Sequence, residues 1–223
     1  DSPPTREILK RLREEYGTLD PGRRLDPLEE LVMTILSQNT SDVNSGRAYG
    51  SLRARFPTWE LLAAARAHDV EAAIRLGGLA RVKAPRILAV LREIRRRQGG
   101  LDLSWMEDSS DEEIEAYLTS LPGVGPKTVA VVMAFSLGRP ALPVDTHVHR
   151  VATRLGFIPP GMPADRAHRA LAELVPPGMR IEMHVGLINL GRAICKAGRP
   201  RCEECPLKDL CPTAPLYLGE RSG

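Results

Sequence analysis

The chain has 223 residues, 43% of them hydrophobic and 26% charged, which suits one domain or two small lobes with a true core and excludes a disordered chain. No apolar run approaches the ~20 residues that span a bilayer. Aromatic residues, at 4%, argue against a β-sandwich core and against stacking platforms for single strands. The net charge of +3 is small but uneven: Arg75 to Ser104 holds eight basic and two acidic residues, and Trp105 to Thr119 holds six acidic and no basic ones. Charge alone reads as solvated helix surface; the same asymmetry suits a polyanion met on one side only. The opening residues Asp1-Ser2-Pro3-Pro4-Thr5 carry no signal-peptide pattern, and the expected location is the cytoplasm.

In chain order the pattern is helical. Asp26-Pro27-Leu28-Glu29 reads as a cap, a proline at the first helical position and an acid in the first turn, followed by Leu28, Leu31, Val32, Ile35 and Leu36 at helical spacing. Thr58-Trp59-Glu60 opens a short helix. Ala84 to Arg97 sets Ile87, Leu88, Leu91 and Ile94 on one face and arginines on the other. Ser110 caps a helix over 111–118. Further helices are expected over 126–137, 145–155, 164–174 and 182–196. Connections carry Gly and Pro, among them Gly77-Gly78, Gly99-Gly100 and Pro176-Pro177-Gly178. No segment alternates strictly enough for a strand, so the expected fold is all-α with about ten helices.

Leu121-Pro122-Gly123-Val124-Gly125-Pro126-Lys127-Thr128 lies between two helical patterns. Gly123-Val124-Gly125 permits a tight turn and close approach of a partner, and Pro126 falls where a helix begins. First-turn amides lack intrahelical acceptors and favour an anion, so this segment reads as a main-chain phosphate cradle that holds DNA without reading its sequence. The plainer alternative is a tight helix–helix turn. Lys127 follows at once. Nucleophilic use needs a neutral amine, which a positive helix start and a desolvated cleft both favour; an ordinary lysine stays solvated or pairs with phosphate.

Eighteen residues on comes Val144-Asp145-Thr146-His147-Val148-His149-Arg150. Asp145 reads as an N-cap placed at a helix mouth. His147 and His149 lack the i, i+4 spacing of a helical zinc pair and read as packing or hydrogen-bonding residues, with His147 near enough to Asp145 to influence a pocket. Cys195, Cys202, Cys205 and Cys211 form C-x6-C-x2-C-x5-C within 17 residues. Four thiols so close in a chain without secretory features read as a metal site. The wide outer gaps suit a bulky iron–sulfur cluster better than zinc, which remains the alternative.

These three segments together, in this order, resemble the endonuclease III family of DNA glycosylases, over about residues 31–211. The resemblance implies a helix-hairpin-helix DNA glycosylase fold of two helical lobes with DNA bound across the cleft between them. One is a six-helix barrel at 20–139, with the hairpin at about 110–137. The other joins 1–19 to 140–223 and holds a [4Fe–4S] cluster on Cys195, Cys202, Cys205 and Cys211. It further implies Lys127 as nucleophile and Asp145 as catalytic carboxylate. DNA contacts fall to Gly123, Val124, Gly125 and His147. Leu79 matches a side chain pushed into the base stack. The segment 36–42 matches the one that fills the gap left by a flipped nucleotide, with both Asn39, counted back from Asp42, and Gln38, one place earlier, as candidates. The implied activity is a bifunctional DNA glycosylase and AP lyase of base excision repair, removing oxidised pyrimidines from duplex DNA, as a nucleoid-associated monomer away from membranes. Two other readings fit less of the sequence. Adenine glycosylase relatives lack the lysine and carry a carboxylate in the helix before the Gln-rich turn, where residues 31–36 have none. A non-cleaving iron–sulfur DNA-binding module would not need Lys127 and Asp145 together.

Overall fold

A computed structural model describes residues 3–219, all helix and loop with no strand among them. The chain divides into two compact units. The first joins the N-terminal segment through Arg24 to the residues from Gly138 onward; the second is Leu25–Leu137. No helix of the described residues is long and apolar enough to cross a membrane.

The chain opens in the first unit with α1 (Thr5–Tyr16). The second unit then holds α2 (Pro27–Ser37), α3 (Asp42–Arg55), α4 (Trp59–Ala64), α5 (Ala67–Ala73), α6 (Ala80–Gln98), α7 (Asp111–Thr119) and α8 (Pro126–Val131). Four of its helix starts are written in polar side chains. Asp26 accepts from the Leu28 and Glu29 amides, Ser41 from Asn44 and Thr58 from Leu61, and Ser110 and Glu113 form a reciprocal capping box. Leu31, Val32, Ile35, Leu52, Ile87, Leu91, Ile94, Ile114 and Leu118 are all buried. Gly77, in a 3₁₀ turn at Arg75–Gly77, brings that turn onto α3, where a Cβ would lie 2.9 Å from the Ala48 Cβ.

Two elements differ from the sequence pattern. Residues 126–137 are not one α-helix: after Val131 the chain widens to a π turn over Val132–Ser136, with the Leu137 amide donating to Val132 O at 3.2 Å. The helix expected at Ala84 begins at Ala80 and contains Pro85. Proline removes the bond that would reach Arg81 O, and because both residues are exposed, solvent can serve that carbonyl.

The first unit resumes with α9 (Thr146–Arg154), α10 (Ala164–Leu174), α11 (Arg180–Ala193) and α12 (Ala214–Leu218), giving twelve α-helices among the described residues. Ile8, Leu9 and Leu12 of α1 pack with Val148 and Val151 of α9, Leu171 of α10 and Met183, Leu187 and Leu190 of α11. Gly186 and Gly191 allow α11 to approach closely, since a Cβ at Gly186 would meet Leu12 and one at Gly191 would meet His147. Arg11 pairs with Asp209 at 2.5 Å, and Arg13 pairs with Glu182, which links α1 to the cysteine loop and to α11.

Candidate active site and metal centre

In the second unit, the Leu121–Val124 turn closes through the Val124 amide and Leu121 O at 3.2 Å, and Gly123 takes φ +74°. The left-handed region at Gly123 favours glycine. Leu121 and Val124 are buried, so Val124 offers a partner its main chain, not its side chain. Gly125 caps α8, Pro126 is its first residue, and the first intrahelical bond runs from Val129 to Gly125 O. The Lys127 and Thr128 amides precede that bond. The Lys127 side chain is exposed in this first turn and makes no ion pair within the described residues.

Two further loops of this unit share an unusual backbone. Asn39 (φ +53°) and Leu79 (φ +51°) are the two non-glycine residues with positive φ among those described. Such strain persists where surrounding contacts hold it, and it gathers at functional sites. Asn39 is exposed just past the end of α2. Leu79, 53% exposed, is the residue from which α6 starts. Gln38 stands beside Asn39, with Oε1 accepting from Arg86 Nη1 at 3.0 Å.

In the first unit, Asp145 caps α9, its Oδ1 accepting from the Val148 amide at 2.7 Å. His147 Nδ1 accepts from Arg150 Nη2 at 3.1 Å, and His149 Nε2 lies 2.7 Å from Met162 O. Both histidines are thus held by local hydrogen bonds. Lys127 and Asp145 belong to different units.

The four cysteines line one cavity, walled by Val151, Leu155, Leu190, Ile194 and Ala214. Burial pushes the Cys205 thiol up to about 11 and also raises Cys202 and Cys211, and the neighbouring thiols add to this. Cationic metal takes the place of thiol protons and turns cysteines into thiolates, so four thiols on one apolar wall fit an iron–sulfur cluster. Arg154 Nη1 donates to Cys195 Sγ at 3.2 Å, and Arg150 Nε donates to Cys195 O at 2.9 Å.

Several of these residues are not evident from motif reading. Arg150 and Arg154 lie on α9 beyond the two histidines. Lys83 is the clearest omission: it is 1% exposed, and its Nζ donates to Leu36 O at 2.6 Å and Gly77 O at 2.8 Å. Its signal was available, since Lys83 lies on the apolar stripe with Ile87 and Leu91 at i+4 and i+8.

A family profile described as HhH-GPD superfamily base excision DNA repair protein matches residues 32–177, and one described as the iron–sulfur binding domain of endonuclease III matches residues 195–211. The chain is 36% identical to endonuclease III of Thermotoga maritima, over 92% of this chain and 89% of that protein. It is 33% identical to endonuclease III of Escherichia coli K12, over 92% and 93% of the two chains. It resembles a solved structure of a trapped endonuclease III–DNA covalent intermediate with a TM-score of 0.83 and 28% identity, over 96% of each chain. The chain therefore belongs to the endonuclease III family within the HhH-GPD superfamily of base excision DNA repair proteins. It is an enzyme of the DNA glycosylase and AP lyase class, and its cofactor is a [4Fe–4S] cluster.

Proposed function

We propose that this enzyme removes oxidised pyrimidines from duplex DNA and then cuts the strand by β-elimination through a Lys127 imine, with Asp145 as the assisting carboxylate. The observation that carries this reading is the Lys127 amine, exposed directly after the Gly123–Gly125 turn and outside any ion pair of the described residues. The likeness to a covalently trapped endonuclease III–DNA complex supports it.

A damaged base is out of reach within the stack, so its nucleotide must rotate out, which costs a few kcal/mol, roughly, per unstacked step. Leu79 offsets that cost as an apolar wedge, and Gln38 or Asn39 occupies the space left behind. The amides of the Gly123-Val124-Gly125 turn and the start of α8 hold a backbone phosphate, and His147 is a separate DNA contact. The Lys127 amine bonds to the sugar carbon C1′ as the bond from C1′ to the base breaks, and the base leaves with that electron pair. The lysine's surplus proton leaves to a base, and Asp145, whose Oδ1 accepts from the Val148 amide, serves as the assisting carboxylate. The sugar opens to an imine on Lys127, which acidifies C2′. Loss of a C2′ proton then expels the 3′ phosphate and breaks the C3′–O bond.

Cys195, Cys202, Cys205 and Cys211 hold the cluster. When bound, it supplies a rigid inorganic centre around which a loop with few apolar residues folds. The working form in this reading is a monomer at the nucleoid.

The test uses duplexes carrying single oxidised pyrimidines, treated with borohydride. Wild-type protein becomes covalently attached to DNA and cuts the strand, and Lys127→Ala does neither. Covalent trapping by Lys127→Ala would place the nucleophile elsewhere, and DNA binding without base release by wild type would favour a non-cleaving binding module.

A further inference from the structure

Lys83 stands apart from every other charged residue of the second unit. It lies on the inner face of α6 at 1% exposure, between the C-terminal end of α2 and the 3₁₀ turn at Arg75–Gly77. Burial alone pulls its ammonium below the ordinary lysine range. An apolar side chain of the same length would fill the space without that penalty, so packing does not account for a lysine here.

Its two acceptors explain it better. Leu36 is the last residue but one of α2, so its carbonyl lacks an intrahelical partner; the Gly77 carbonyl is the last of the short 3₁₀ turn, whose own bonds run from the Gly77 and Gly78 amides to Ile74 O and Arg75 O. An ammonium suits both, and it complements the negative end of the α2 dipole. The chain leaving Leu36 reaches Gln38 and Asn39 within three residues, and the chain leaving Gly77 reaches Leu79 within two. These two loops carry the only non-glycine residues of positive φ among those described. One buried cation therefore fixes the root of each strained loop. Arg86, one turn on in α6, holds the Gln38 side chain from the same helix at 3.0 Å.

We infer that Lys83 is a positioning residue that ties the Leu79 wedge loop to the Gln38–Asn39 loop, so that the two enter the duplex as one rigid unit. This rests on the reading above that both loops insert into DNA. A loose tether would cost the enzyme its ability to open the stack while sparing chemistry on a strand that is already open.

The experiment places Lys83→Met and Lys83→Arg in the holoenzyme, each alone and with Leu79→Ala. It measures single-turnover base release from a lesion duplex, 2-aminopurine fluorescence beside the lesion, and strand cutting at an abasic site in single-stranded DNA. Lys83→Met is expected to slow duplex turnover about tenfold and weaken the unstacking signal, to change single-strand cutting by less than about twofold, and to add nothing beyond Leu79→Ala. Lys83→Arg, which keeps charge and donors, is expected within about threefold of wild type on duplex. That comparison stands by itself if the methionine variant does not fold, because a space-filling role would rank methionine above arginine. Equal losses on duplex and single strand, full additivity with Leu79→Ala, or a poor arginine variant would overturn the inference. If Leu79→Ala is itself harmless while trapping persists, the wedge reading fails and the inference with it. If Leu79→Ala is harmful and Lys83→Met is not, only the tether fails.

Discussion

Glu30 is a carboxyl of the second unit that burial drives toward its neutral form. It lies in the first turn of α2, four residues before Thr34, and burial pushes it up to about 7; the charges of Glu29 and Asp26 act the same way, and a hydrogen bond with Thr34 acts against them. Between the ordinary carboxylate range and about 7, the folded chain keeps a proton that the unfolded chain has released. The stability from Glu30 is thus full at acid pH and is lost as pH rises through 7. Glu30→Gln is expected to melt like wild type near pH ~5 and to be more stable by about 2 kcal/mol near pH ~8. Thermal melts across that range check it, and a pH-independent difference would contradict it. The same residue qualifies an argument from the sequence: residues 31–36 lack a carboxylate, yet a protonatable one lies at the next position back.

Between elements, glycine decides how closely helices and turns approach. Gly77 is the sharpest case in the second unit, because the atom that an added Cβ would meet at 2.9 Å is the Ala48 Cβ, which cannot rotate away. Gly77→Ala should push the 3₁₀ turn off α3 and cost about 1–3 kcal/mol. Ala48→Gly in that background should recover part of the loss, less about 1 kcal/mol for glycine within α3. Chemical denaturation of the single and double variants measures both. An unchanged midpoint for Gly77→Ala would show that the contact is loose. The turn leads directly into Leu79, so the single variant should also slow base release from duplex DNA.

For the whole molecule, each unit has its own core, but only the first has a long loop with little apolar content. Between Cys195 and Cys211 the buried apolar side chains are two, Pro200 and Leu207. The α1 pair Arg11–Asp209 is largely exposed and adds little to that loop's stability. Cluster loss should therefore melt the first unit selectively. Cys205→Ser is expected to lose iron and visible colour, and to show an early calorimetric transition that wild type lacks, followed by unfolding of the second unit. One transition at the wild-type temperature in an iron-free variant would contradict this.

Local chemistry makes much of this protein legible in its sequence. The caps at Asp26, Thr58 and Ser110, the 164–174 helix and the Gly123–Gly125 turn depend on neighbours in the chain, and side-chain type and spacing encode such interactions directly. The same holds for the cysteine loop, whose four donors lie within 17 residues. The start of α6 at Ala80 and the π turn over Val132–Ser136 carry no cap or spacing signal of that kind. The strained backbone at Asn39 and Leu79 needs support from distant residues. Lys83 shows the difference most plainly: its charge is written in the chain, but its two acceptors lie 47 and six residues away, and only packing brings them to one nitrogen.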